Sequence, residues 1–317
     1  MSLTMSHQSV MCEESVTALI TRKEGIYVDQ TFGCGGHSKA ILNQLGPEGR
    51  LIAFDKDLEA VAIGLALAKT DKRFCIVHSD FSNFDATLDR MGVDEIDGAI
   101  FDLGVSSPQL DDAKRGFSFR FDAPLDMRMD TTVPLTAAIW LNQAAPSEIK
   151  RVIREYGEER FAGNIAQSIV RARALAPITT TSELAMLVKK EIKTYEAGQH
   201  PATRTFQAIR IYINDELNVL TKVLPKVMRY LRCGGKLVVI SFHSLEDRIV
   251  KRFMRFHHEN DHLPRWAMVR NSELSAPLLE KVDPMRRASD QEIASNPRAR
   301  SAVLRVARRS GVILEEK

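Results

Sequence analysis

Short apolar runs alternate with segments of helical period along the first hundred residues. Residues 26–28, 51–54, 74–78 and 96–101 are runs of strand length. Between them, residues 38–45 and 58–69 carry apolar positions at helical spacing, for example Leu58, Val61, Ala62 and Leu65. A helix-like run through Glu13, Val16 and Leu19 precedes the first strand. Strands alternating with helices predict parallel β-α units and a doubly wound α/β sheet. From about Asp111 the alternation stops. A loop over 114–130 is longer than a plain connector, which marks function or disorder. Residues 135–195 then show only helical periodicity, in about four segments broken near Pro146, Gly157 and Pro177. Thr180 and Glu183 are spaced as a capping box. One long helix is expected over 206–231, ending at Cys233-Gly234-Gly235. A strand over 236–242 resumes the sheet, and 302–306 reads as a last strand. The expected organisation is therefore residues 1–110 as the first part of an α/β domain, 111–205 as an all-helical insert, and 206–317 as the second part with a basic tail.

Length and composition narrow this further. The 317 residues suffice for two cores, and 44% hydrophobic with 27% charged residues is ordinary for a globular protein. No apolar run reaches the ~18 residues of a membrane span, and no signal-peptide core is present. Cys12, Cys34, Cys75 and Cys233 lie far apart, which suits neither a disulfide framework nor a metal site. Reduced thiols and a cytoplasmic location are expected. The net charge of +3 decides nothing, but its distribution does: residues 286–309 hold seven arginines against Asp290 and Glu292. Such a cluster is the footprint expected for phosphate contacts, and Arg298, Arg300, Arg308 and Arg309 are the candidates for them. The basic residues of the insert (Lys150, Arg151, Arg154, Arg160, Arg171, Arg173) are interleaved with glutamates and read as a solvated face.

Candidate chemistry gathers at the strand ends. The glycine-rich turn Gly33-Cys34-Gly35-Gly36 leaves the first strand for a helix, and the second strand ends in Asp55. A glycine turn followed about 20 residues later by an acid suits an adenosine-bearing cofactor, the acid binding ribose hydroxyls. The spacing is not that of a dinucleotide fingerprint, so a nucleoside without phosphates fits better. Asp80 and Phe81 after the third strand suit adenine, or serve as a helix cap and a core ring. Asp102 ends the fourth strand, and Ser106, Ser107, Pro108 and Gln109 follow it in a polar turn. His7 is a lone histidine near the terminus, read chiefly as solvated or capping.

Longer blocks carry a resemblance. TFGCGGH (31–37), DLGVSSPQLDD (102–112), RGFSF (115–119), PLDMRMD (124–130), HPATRTFQ (200–207), SFHSLEDR (241–248) and NPRARS (296–301) resemble, in order along nearly the whole chain, the bacterial MraW (RsmH) 16S ribosomal RNA cytosine-N4 methyltransferases. The resemblance implies a class I S-adenosylmethionine-dependent, Rossmann-like methyltransferase sheet with a helical insert used for substrate. It implies S-adenosyl-L-methionine as donor and a cytosine of the ribosomal P-site region, in 16S rRNA within the small ribosomal subunit, as acceptor. Gly35, Gly36, His37, Asp55, Phe81, Asp102 and Gln109 are the cofactor positions it suggests. Asp102, Ser106 and Ser107 are the catalytic candidates, since acceptors after the fourth strand can hold an exocyclic amine in line with the methyl group. Ser107-Pro108-Gln109 keeps part of the Asp/Asn/Ser-Pro-Pro-aromatic motif of amino-methyltransferases. Neither a membrane nor a metal enters this reading, and a homodimer stays open. A DNA amino-methyltransferase, a small-molecule methyltransferase and a non-catalytic ribosome-assembly factor are the alternatives. Duplex-DNA activity, dispensability of the arginine tail, and RNA binding indifferent to donor would mark them respectively.

Overall fold

The computed structural model describes residues 9–194, 200–258 and 276–312. His7, the leader and 259–275 of the polar tail lie outside the described residues.

In chain order the elements begin with α1 (Cys12–Leu19), β1 (Ile26–Asp29), α2 (Gly36–Gln44), β2 (Arg50–Asp55) and α3 (Leu58–Thr70). They continue through β3 (Phe74–His78), α4 (Phe84–Arg90), β4 (Ile96–Asp102) and α5 (Ser107–Asp111). Helices α6 (Ala137–Gln143), α7 (Pro146–Gly157), α8 (Ala162–Arg173), α9 (Thr181–Glu191) and α10 (Thr203–Ile213) follow without a strand. The chain returns through α11 (Glu216–Tyr230), β5 (Leu231–Ser241), α12 (Ser244–His258), β6 (Leu279–Val282), β7 (Arg286–Arg287), α13 (Asp290–Ser295) and β8 (Val303–Arg309). Two compact units result: residues 1–104 with 217–317, and residues 105–216.

In the first unit the sheet order is β3-β2-β1-β4-β5-β8-β6, with β7 also on β8. Strands β1 to β5 are mutually parallel and β8 runs antiparallel to β5. This is a Rossmann-like α/β sheet, and its order reverses at β1, between β2 and β4, where ligands of such sheets bind. The alternation of side chains along each strand builds both layers. Val28, Ile52, Phe54, Phe101 and Val239 pack with Leu220, Val223 and Leu224 of α11. Tyr27, Leu51, Ala53, Ile100 and Val238 pack on the other face with Val16 and Leu19 of α1 and Ile41 of α2. Burial on both faces explains why these strands read as continuous apolar runs.

The second unit has its own core, including Trp140, Ile149, Ile153, Ile165, Leu184 and Ile209. Its capping box forms as spaced, Thr180 and Glu183 exchanging side-chain and backbone hydrogen bonds at the start of α9. The long loop is neither disordered nor bare. Phe117, Leu125, Met127 and Met129 are buried in the helical core, and buried Arg115 donates to the carbonyls of Arg128 and Met129, both at 3.0 Å. Gly116 makes this loop fold: its φ is +69°, and a Cβ there would lie 2.4 Å from the Pro124 carbonyl oxygen.

The expected helix over 206–231 is two helices. Asp215 has φ +51°. Asn214 beside it donates to the Met127 carbonyl and accepts from the Met129 N–H, both at 2.7 Å. Short amide and carboxylate side chains tolerate the left-handed region and compete with helical bonds, so the break falls on this pair. α10 consequently belongs to the helical core, which moves the boundary from 205/206 to 216/217.

Candidate active site

The glycine turn is assembled by two carboxylates on neighbouring strands. Asp29, 1% exposed at the end of β1, accepts from Ser38 Oγ at 2.6 Å and from the Thr31 N–H at 3.1 Å. Asp55, at the end of β2, accepts from the Gly33 N–H at 2.7 Å and from the Asp57 N–H at 2.8 Å. Gly35 then begins α2 at φ +75°, where a Cβ would sit 2.6 Å from the Phe32 ring. Gly36 and His37 are the first residues of that helix.

Asp102, at the end of β4 on the other side of β1, comes to the same place. Its N–H donates to Thr31 Oγ1 at 2.6 Å, and its Oδ2 lies 3.5 Å from His37 Nδ1. His37 is buried, with Nε2 3.1 Å from the Val10 carbonyl. A carbonyl only accepts, so Nε2 carries the proton and Nδ1 turns its lone pair toward Asp102. Burial pushes the imidazole below its ordinary pKa. Among the described residues, Asp102 Oδ1 is buried without a hydrogen-bond partner. Burial first, then the charges of Asp29 and Glu246, hold its carboxyl well above the usual range. Burial likewise raises Asp29 and Asp55, the N–H groups on Asp55 only partly offsetting it. Three carboxyls whose ionised form is disfavoured make this end of the sheet suited to a cation.

Phe81 follows β3 and stands edge-on to Phe101, ring centroids 5.6 Å apart. Asp80 takes the capping role: its carboxylate accepts from the Ser82 N–H at 2.7 Å. Ser106, Ser107 and Gln109 open the second unit. Ser106 caps α5, accepting from the Gln109 N–H at 3.5 Å, while Gln109 Oε1 accepts from the Ser106 N–H at 2.9 Å. Sequence reading had passed over Asp29, Thr31, Ser38 and Glu246. Asp29 carried a signal, an acid closing an apolar strand run, as Asp55 and Asp102 do; Thr31 and Ser38 carried none.

Of the four tail arginines assigned to phosphate contacts, Arg309 needs correction. Arg309 faces inward, 5% exposed, donating to the carbonyls of Leu278 at 3.1 Å and Val312 at 2.6 Å. Arg308 is exposed and pairs with Glu280. Alternation along β8 decides this: neighbours 308 and 309 point to opposite faces. Arg286, Arg287 and Arg300 are exposed. Replacing Arg286 and Arg300 by glutamine is expected to flatten the salt dependence of RNA binding by roughly one log–log unit per lost phosphate contact. Arg309→Gln should instead lower stability by roughly 1.5–3 kcal/mol, since its bonds are internal and charge-assisted. Salt titration and thermal melting of both variants check this; a flattened slope for Arg309→Gln would reverse the correction.

Residues 4–310 match the sequence profile of the MraW methylase family. The chain belongs to that family. A protein of Chromobacterium violaceum is 57% identical over 97% of this chain and 96% of its own, and one of Azoarcus sp. is 57% identical over 98% and 99%. A Neisseria meningitidis protein is 54% identical over 98% and 95%. All three carry the name ribosomal RNA small subunit methyltransferase H. Family membership thus spans both units, the strand ends of the sheet and the helical core alike.

Proposed function

We propose that the protein transfers the methyl group of S-adenosyl-L-methionine to N4 of one cytosine, in the P-site region of 16S rRNA within the small ribosomal subunit. The observation that supports this most is Asp102 with its buried, unpartnered Oδ1 at the switch point, in a chain whose relatives are named for small-subunit RNA methylation. S-adenosylmethionine fits the cleft on charge, because its sulfonium and ammonium groups offset the carboxyls of Asp29, Asp55 and Asp102. In this reading Asp55 accepts from the ribose hydroxyls. The Gly35-Gly36 backbone would hold the methionine portion, and Phe81 and Gln109 are the remaining residues proposed to contact the donor.

The exocyclic amine of cytosine is a poor nucleophile, because its lone pair is delocalised into the ring. The protein's contribution is to hold that amine in line and to accept its hydrogens. Asp102 and the acceptors after it at Val105, Ser106 and Ser107 take this role. As the N–C bond forms and the S–C bond breaks, the electron pair of that bond goes to sulfur and N4 must lose a proton. Asp102, whose carboxyl burial and the charges of Asp29 and Glu246 make more basic than an ordinary carboxylate, is placed to accept that proton. The neutral His37 lone pair, 3.5 Å from Oδ2, can share the proton. The base must leave its stack to reach this point, and the helical unit is assigned to holding the RNA around it. The work is cytoplasmic, where small subunits are assembled.

Small subunits from a strain lacking the gene, incubated with protein and methyl-labelled donor, test this. One labelled cytosine in 16S rRNA is the expected result. Label in duplex DNA, or spread over many RNA positions, would refute it.

A further inference from the structure

Three rings form a continuous stack from the core of the helical unit to its surface. Phe206 is 4% exposed and belongs to the core cluster. Phe119 stands edge-on to it, with centroids 5.2 Å apart and planes at 83°. His200 lies nearly parallel on Phe119, with centroids 4.3 Å apart and planes at 22°. His200 is exposed, so with one face covered by Phe119 it offers the remainder of the ring to solvent. The ring is also fixed in place: Nδ1 accepts from the Ala202 N–H at 3.2 Å, and the His200 carbonyl accepts from the Thr203 N–H at 3.0 Å. Nε2 therefore carries the ring proton. Partial burial, and then the charge of Lys189, push the imidazole below its ordinary pKa, so it is neutral at physiological pH.

The surroundings are basic and aromatic. Arg120 and Phe121 follow Phe119 directly and both are exposed, Phe121 at 53%. Lys189 and Lys190, in the last turn of α9, are exposed as well. A histidine that served only to start α10 would need its Nδ1 contact and nothing on its ring face. The stack adds a rigid, uncharged aromatic surface beside cations, which is the composition of single-strand RNA sites: rings for bases and cations for phosphates.

We propose that the outer face of His200, backed by Phe119, is a stacking platform for an unpaired base of the RNA substrate, with Arg120 and Lys189 serving its flanking phosphates. This rests on the RNA reading above and adds a residue-level contact to it. Stacking of this kind is indifferent to base identity, so the platform contributes affinity and positioning, not sequence choice.

His200→Asn keeps an acceptor for the Ala202 N–H and removes the ring; His200→Phe restores a ring. With unmethylated small subunits and the full-length protein, His200→Asn is expected to raise KM for the particle about tenfold. Its kcat and calorimetric donor affinity should stay at wild-type values. His200→Phe should bring KM back to within about twofold of wild type. A photoreactive phenylalanine placed at position 200 should crosslink to 16S rRNA. An unchanged KM in His200→Asn, no rescue in a folded His200→Phe, or a crosslink to ribosomal protein alone would each overturn the platform while leaving the RNA reading standing. Absence of transfer by the wild-type protein would overturn the RNA reading, and the platform with it.

Discussion

Asp102→Asn is expected to reduce methyl transfer by about a hundred- to ten-thousandfold while making the protein more stable at neutral pH. The two effects share one cause. The Asp102 carboxyl is half-buried near the charges of Asp29 and Glu246, its buried Oδ1 lacks a partner, and its pKa is held well above the ordinary carboxylate value. Between the unfolded value of about 3.9 and that raised value, the folded protein binds more protons than the unfolded chain. By linkage, stability then falls as pH rises through this window. Asparagine does not titrate, so the variant escapes that loss. The gap between variant and wild type should be small near pH 4 and widen toward neutrality. Each unit of upward shift corresponds to about 1.4 kcal/mol, or about 3–6 °C in melting temperature for a domain of about 200 residues. Thermal melts at several pH values, paired with transfer assays, measure both halves. Parallel melting curves for the two proteins would show that Asp102 is not a stored electrostatic cost.

Asp55→Ala is expected to weaken S-adenosylmethionine binding by about ten- to somewhat over a hundredfold and to lower stability as well. Ribose hydrogen bonds to a carboxylate contribute roughly 1.5–3 kcal/mol, about ten- to somewhat over a hundredfold in affinity. The fold is affected too, because the same two oxygens hold the N–H groups of Gly33 and Asp57. Removing them leaves both donors without their acceptor, each costing about 1–3 kcal/mol. Asparagine cannot repair this, since its amide nitrogen would face one of the two N–H groups. Calorimetric titration with the donor and a thermal melt of Asp55→Ala decide the matter. Wild-type affinity in the folded variant would remove Asp55 from the donor site.

The sheet was legible because its central strands are buried on both faces and stand out as apolar runs, three of them ending in an acid. Asp29, Asp55 and Asp102 close three adjacent strands at the switch point, so the site's position followed from the strand reading. Three features lay beyond local pattern. The break at Asn214-Asp215 depends on bonds to Met127 and Met129, more than eighty residues earlier. The order of the 114–130 loop depends on burying its methionines and phenylalanines in a core built by later helices. The inward turn of Arg309 is a matter of strand parity, which composition cannot register.

In the proposed reaction an amine is methylated at a site built from hydrogen-bond acceptors, without a thiol nucleophile. Methylation at cytosine C5 would instead need a thiolate to attack the ring. Burial raises the thiols of Cys34 and Cys75, and that of Cys12 to about 11, so none of the three is primed as a thiolate. Cys233 is exposed, next to the Gly234-Gly235 bend that leads into the parallel part of β5. The most direct test is nucleoside mass spectrometry of 16S rRNA methylated by a variant lacking all four cysteines. The account predicts N4-methylcytidine, formed with no covalent adduct on a 5-fluorocytosine substrate. C5-methylcytidine, or an adduct that disappears on Cys34→Ser, would contradict it.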